Sequence, residues 1–72
     1  MKPTPRGLTM SDVLARVREV NELRGDNECA HSKEDALWRD VLAAIRDGVD
    51  NPAELAAAAL KTQDITFKRW CA

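Results

Sequence analysis

The chain has 72 residues, a formal net charge of −1 and 44% hydrophobic residues. This length allows one small domain with a single core, and it leaves little room for a deep substrate pocket. The near-zero net charge provides no general attraction to nucleic acid, and the hydrophobic content is that of a folded domain. The longest apolar run, within residues 53–60, is too short to span a membrane.

The N-terminal residues 1–8 are predicted to form a flexible leader. Pro3 and Pro5 disfavour a helix and favour an extended backbone in this stretch. The leader lacks the apolar segment of a signal peptide, so we expect a cytoplasmic protein with free thiols. Residues 9–72 are then expected to form a single helical domain.

The first predicted helix begins near Thr9 or Ser11, because either hydroxyl can accept a hydrogen bond from a free N–H group of the first turn. Asp12 and Arg16 are spaced for an i,i+4 ion pair. Gly25 is expected to end the helix. Apolar residues recur at steps of three and four and form one stripe: Met10, Val13, Leu14, Val17, Val20 and Leu23.

The second predicted helix begins after Ser32, which can cap the first turn, with Asp35 at the third helical position in a box-like arrangement. Gly48 is expected to end this helix. Its wide apolar face contains Leu37, Trp38, Val41, Leu42 and Ile45. The pattern indicates a helix with one face in the core and the opposite face in solvent.

The third predicted helix begins after Asn51, a favourable N-cap, with Pro52 at the first helical position. The alanines of residues 56–59 have high helix propensity and little bulk, so another helix can approach them closely. The helix is expected to break between Thr62 and Asp64.

Asp64 is expected to cap a last short turn through Ile65, Phe67 and Trp70. No stretch alternates apolar and polar residues between turn signals, as a strand would. The sequence therefore predicts an all-α fold, a small three-helix bundle with a short C-terminal helical turn.

Cys29 and His31 are the residues best suited to metal binding or catalysis. Their spacing differs from the paired cysteines of structural zinc sites, and Cys71 lies far along the chain. Glu34 and Asp35 could help His31 to act as a general base. The three glycines are isolated from one another, so they form no phosphate-binding loop. We therefore expect no metal, no cofactor, no small-molecule substrate and no enzymatic activity.

Residues 56–70 carry the pattern of a helix-turn-helix core. A small residue, a turn and a segment that ends in Arg-Trp match in register at Ala57, Thr66, Phe67, Arg69 and Trp70. This stretch resembles the helix-turn-helix family of DNA-binding proteins. The resemblance implies that the second helix contacts nucleic acid, with lysine and arginine mainly on phosphate. The implied contact residues are Gln63, Thr66, Lys68 and Arg69.

Three positions depart from the helix-turn-helix pattern. Lys61 stands where the turn usually has glycine, and Thr62 replaces an apolar turn residue. Ile65 falls on the side that would face the bases, where an apolar residue is unhelpful.

A lid on the bundle is the second interpretation of the same segment. In it, Ile65, Phe67 and Trp70 pack against Trp38 and the alanines of the third helix. The two basic residues between Phe67 and Trp70 then stay exposed beside an acidic body.

Residues 25–37 and 62–72 look like segments of small helical proteins of GC-rich bacteria and their phages. Those proteins have no assigned activity, so the resemblance implies only a compact, phage-derived accessory or regulatory protein that acts by binding. It transfers no functional residues.

We therefore predict a small interaction protein without enzymatic activity. It would present a helix face or the segment Phe67–Trp70 to a protein partner, or to a second copy in a homodimer. The alternative is a minimal helix-turn-helix regulator that binds DNA through the same segment. No membrane partner is expected.

Overall fold

The computed structural model describes residues 8–67, and these form a bundle of three helices. They are α1 (Met10–Glu22), α2 (Asn27–Arg46) and α3 (Pro52–Ala59), and a 3₁₀ helix (Leu60–Asp64) continues α3 without a break. None of the described residues lies in a strand. The prediction of an all-α, small three-helix bundle is confirmed.

The start of α1 follows the sequence closely. Thr9 is the N-cap, and its hydroxyl accepts a hydrogen bond from the Asp12 N–H at 3.1 Å. The Asp12 carboxylate accepts one from the Thr9 N–H at 3.1 Å, which completes a capping box. Arg16 forms its ion pair with Asp40 of α2 at 2.8 Å rather than with Asp12. The side chain thus joins two helices instead of bracing one.

The start of α2 corrects the sequence prediction. The helix begins at Asn27, with Asp26 as the N-cap, and the Asp26 carboxylate accepts a hydrogen bond from the Cys29 N–H at 3.2 Å. Ser32 lies exposed inside the helix, so the prediction that it caps α2 is wrong. No proline or glycine separates the two possible caps, and the earlier start buries Ala30 completely.

The end of α2 is a Schellman motif built on Gly48. This glycine has a φ angle of 88°, a conformation that side chains with a Cβ rarely adopt. The Gly48 N–H donates to the Ile45 carbonyl at 3.1 Å, and the Val49 N–H donates to the Ala44 carbonyl at 3.0 Å. Val49 also packs against the core. The prediction that Gly48 ends the helix is confirmed.

The start of α3 is as predicted, with Asn51 in the N-cap position and Pro52 in the first turn. The Asn51 side chain makes no capping hydrogen bond. Leu55 is fully buried, and the small Ala58 and Ala59 allow α3 to approach its neighbours closely.

All three helices contribute to the main apolar cluster of the core, and Val20 and Ala30 are buried outside that cluster. The main cluster is shared by Val13, Leu37, Val41, Ala44, Leu55, Ala58 and Ala59. Alanine and valine make up much of this cluster, so the core of this short chain contains few bulky side chains.

One side chain ties α2 to the end of α3. The Trp38 indole N–H donates to the Ala59 carbonyl at 3.2 Å and to the Thr62 hydroxyl at 3.0 Å. The Thr62 hydroxyl donates to the same carbonyl at 3.1 Å, and Thr62 is fully buried. These hydrogen bonds hold the junction between α3 and the 3₁₀ helix against α2.

The backbone leaves the helical conformation after Asp64. Ile65 is extended, with φ −84° and ψ 125°, and its N–H donates to the Thr62 carbonyl. The prediction of a last turn through Ile65 and Phe67 is therefore wrong for these two residues, because the helical turn lies earlier, within the 3₁₀ helix. Trp70 lies outside the described residues.

Alanine substitution of Asp26 and of Ser32 tests which of the two residues caps the start of α2. Asp26→Ala should lower the free energy of unfolding by about 1 kcal/mol, because the Cys29 N–H loses its acceptor. Ser32→Ala should change it by less than about 0.5 kcal/mol. Urea denaturation followed by circular dichroism measures both. Equal losses, or a larger loss for Ser32→Ala, would contradict the observed helix start.

The Thr62 hydroxyl can be removed with little change in shape. Thr62→Val should lower the free energy of unfolding by about 1–2 kcal/mol, because the buried Trp38–Thr62 hydrogen bond is lost. The exposed Thr66 provides a matched control, and Thr66→Val should stay within about 0.5 kcal/mol of the wild type. A Thr62→Val protein as stable as the control would show that this hydrogen bond contributes nothing net.

Candidate functional site

The structure describes two of the five candidate contact residues that the sequence analysis placed in the C-terminal segment. Gln63 lies exposed in the 3₁₀ helix, and Thr66 lies exposed just beyond it. Lys68, Arg69 and Trp70 lie outside the described residues. A common surface for these five side chains therefore remains a sequence prediction.

The backbone of residues 60–67 bears on the helix-turn-helix resemblance. A recognition helix requires α-helical geometry, so that side chains three or four apart share a face in the DNA groove. Here a 3₁₀ helix runs to Asp64 and an extended residue, Ile65, follows. Gln63 and Thr66 therefore do not share an α-helical face. DNA binding stays a prediction that the geometry of the described segment does not favour.

Cys29 and His31 do not converge. Because α2 begins at Asn27, both lie on one helix, two residues and about 200° apart around its axis. The His31 Nε2 atom lies 3.4 Å from a carboxylate oxygen of Asp35, one turn away. Within residues 8–67, no three side chains of His, Cys, Asp or Glu are grouped closely enough to hold a metal ion. On this part of α2, Cys29 and Ser32 are exposed, whereas Ala30 and Glu34 are buried.

The exposed thiol of Cys29 sits beside the capping carboxylate. A hydrogen bond to Asp26 and repulsion by its negative charge raise the pKa of the Cys29 thiol above its ordinary value. A thiol of this kind is largely protonated at neutral pH, and the thiolate is the reactive form. The local electrostatics therefore oppose a role as a nucleophile.

An open apolar groove between α2 and α3 is the most distinctive surface feature of the described chain. Its volume is about 210 Å³, and all its lining side chains are apolar. Leu42 is 67% exposed on one side, and Leu60 is 48% exposed on the other. The lining residues are Trp38, Val41, Leu42, Ile45, Ala56, Ala59 and Leu60.

The groove arises from unequal side chains on the two helices. On α2, Trp38, Leu42 and Ile45 are spaced by three or four residues and form one ridge. The facing positions on α3 are Ala56 and Ala59, which are too small to cover that ridge. The apolar arc of α2 is therefore wider than α3 can bury.

Two arginines border the groove on the α2 side. Arg39 precedes Leu42 by three residues and Arg46 follows it by four, so both flank its exposed side chain. Arg46 pairs with Asp47 at 2.9 Å, whereas Arg39 forms no ion pair with any of residues 8–67. Asp35 lies a further turn away, next to His31. The middle of this border is therefore electropositive.

Comparison with family models, with curated proteins and with solved structures finds no match to this chain. Across the described helices, none is both long enough and apolar enough to cross a membrane.

The effect of Asp26 on Cys29 can be measured directly. In a Cys71→Ser background, Asp26→Asn keeps an N-cap side chain but removes the negative charge, so the thiol pKa should fall. The rate of iodoacetamide alkylation at pH ~8 should rise accordingly, since more thiolate is present. Glu28→Gln is the matched control and should have the smaller effect, because Glu28 contributes less to the raised pKa. An unchanged pH profile in Asp26→Asn would contradict the assignment.

Proposed function

We propose that this chain is a small interaction protein without enzymatic activity that binds a protein partner through the groove between α2 and α3. The exposure of Leu42 and Leu60 on opposite sides of one apolar groove supports this proposal. Single exposed apolar side chains are common on protein surfaces and need no explanation. Two that border the same apolar depression are typical of an interaction site.

The lining of the groove favours a protein over a small ligand. Small-molecule sites enclose most of their ligand and place a few polar groups to orient it. This groove is open, and none of its lining side chains is polar. A partner that lays several apolar side chains along the ridge of Trp38, Leu42 and Ile45 fits it better.

The proposal also keeps two expectations from the sequence, a cytoplasmic accessory role and self-association. A helix face is the mode of presentation that the groove supports. The alternative, DNA binding by the C-terminal segment, involves Lys68 and Arg69 instead, and the two hypotheses predict different sensitivities to salt and to nuclease.

Affinity capture with matched surface variants tests the proposal. Leu42→Glu should reduce recovery of the partner at least about tenfold, because a charge replaces an exposed apolar contact at the edge of the groove. Leu14 is 39% exposed on α1 and does not line the groove, so Leu14→Glu is the matched control and should behave as wild type. Host-cell lysate, with and without nuclease treatment, is the source of partners, and circular dichroism checks that each variant stays helical.

Two results would contradict the proposal. If Leu42→Glu and Leu14→Glu lower the recovery of the partner equally, the groove is not the binding surface. Recovery that disappears after nuclease treatment and in Arg69→Ala would favour the DNA alternative.

A further inference from the structure

We infer that the partner segment is an amphipathic α-helix with acidic residues along the edge that lies beside α2. This inference rests on the proposed function and adds the chemistry of the partner. Three observations on the groove carry it: the spacing of its apolar ridge, the small side chains on its α3 side, and the arginines on its α2 side.

The apolar ridge has helical spacing. Trp38 and Ile45 lie seven residues apart on α2, about 10 Å along its axis, with Leu42 between them. A helix laid along this ridge would contact it with apolar residues at positions i, i+4 and i+7 over two to three turns.

The α3 side of the groove accepts a helix at close range. Ala53 and Ala57 lie exposed on α3, three residues before and one residue after the groove residue Ala56. Side chains this small leave room for a helix backbone to approach, and Leu60 closes the groove at its far end. None of these four residues is charged.

The α2 side sets an electrostatic preference. Arg39 and Arg46 lie one turn from the exposed Leu42 on either side, and Arg39 has no carboxylate partner in the described chain. Aspartate or glutamate on the adjacent edge of the partner helix would pair with Arg39 and compete with Asp47 for Arg46. A basic helix would be repelled at the same border.

Charge also weighs against the two occupants that the chain itself could supply. A second copy packed with its α2 antiparallel across Leu42 would bring Arg39 of one copy close to Arg46 of the other. The C-terminal segment of the chain would bring Lys68 and Arg69 to the same electropositive border. An acidic helix meets no such repulsion.

A pair of synthetic helices that differ only in charge tests the inference. Each is a stapled peptide of about 14 residues with leucines at i, i+4 and i+7. One carries glutamates along a single edge and the other carries lysines at the same positions. Chemical shifts of the Leu42 and Leu60 methyl groups in the full-length protein locate binding, and their titration gives the affinity.

The glutamate peptide should bind about tenfold or more tightly than the lysine peptide at low salt, and the ratio should shrink as salt is raised. The Arg39→Glu/Arg46→Glu double variant should reverse the preference. Leu42→Glu should weaken binding of the glutamate peptide about tenfold or more. Leu14→Glu should leave its affinity within about twofold of the wild type.

Equal affinities of the two peptides, or no shift of either methyl group with any peptide, would overturn the inference. Concentration-dependent methyl shifts of the protein alone would overturn it in favour of a second copy. Methyl shifts caused by Trp70→Ala alone would overturn it in favour of the C-terminal segment. If partner capture depends on Leu42 but the two peptides bind with equal affinity, the inference of an acidic partner helix is wrong while the proposed function stands.

Discussion

The contact between Trp38 and the end of α3 governs both the stability of the bundle and the shape of its surface. A partly buried indole brings apolar bulk against the core, and its N–H must find an acceptor. It finds the Ala59 carbonyl and the Thr62 hydroxyl, which also bond to each other. The end of α3 is thereby fixed against the middle of α2. One face of the same indole remains as a wall of the groove.

Much of the fold could be predicted from short-range chemistry, because each helix end depends on a few neighbouring residues. Thr9, Gly48 and Pro52 act as their residue types suggest. The start of α2 could not be resolved in this way, since Asp26 and Ser32 are both good caps. The choice between them depends on a tertiary effect, the burial of Ala30 in the assembled bundle. Local capping rules do not contain that information.

The candidate site was harder to predict than the fold, and the reason is geometric. Periodicity places Trp38, Leu42 and Ile45 on one apolar face, but it does not show how much of that face a neighbour covers. Coverage depends on the side chains of α3 that face it, and these are alanines. The C-terminal aromatic residues drew attention in the sequence because they are bulky. Leu42 did not stand out, although it is the most exposed of the large apolar side chains that the structure describes.

The charges of α2 are divided between two tasks. On the side that faces α1, Asp40 pairs with Arg16 and Lys33 pairs with Glu19, so these charges join the two helices. Exposed pairs of this kind contribute little to stability, typically less than about 1 kcal/mol each. About 100° around the same helix from Asp40, Arg39 and Arg46 flank an apolar ridge and form no ion pair with another helix of the described bundle.

Burial of a leucine side chain stabilises a fold by roughly 1.5–3 kcal/mol, and a small bundle forgoes this stabilisation when it leaves a leucine exposed. The sequence nevertheless places Leu42 between two arginines at the edge of the groove. Apolar bulk can supply affinity for a partner, while the flanking charges can select among partners and orient them. The face of α2 that the fold leaves open thus combines the two properties on which the proposed binding surface depends, exposed apolar bulk and flanking charge.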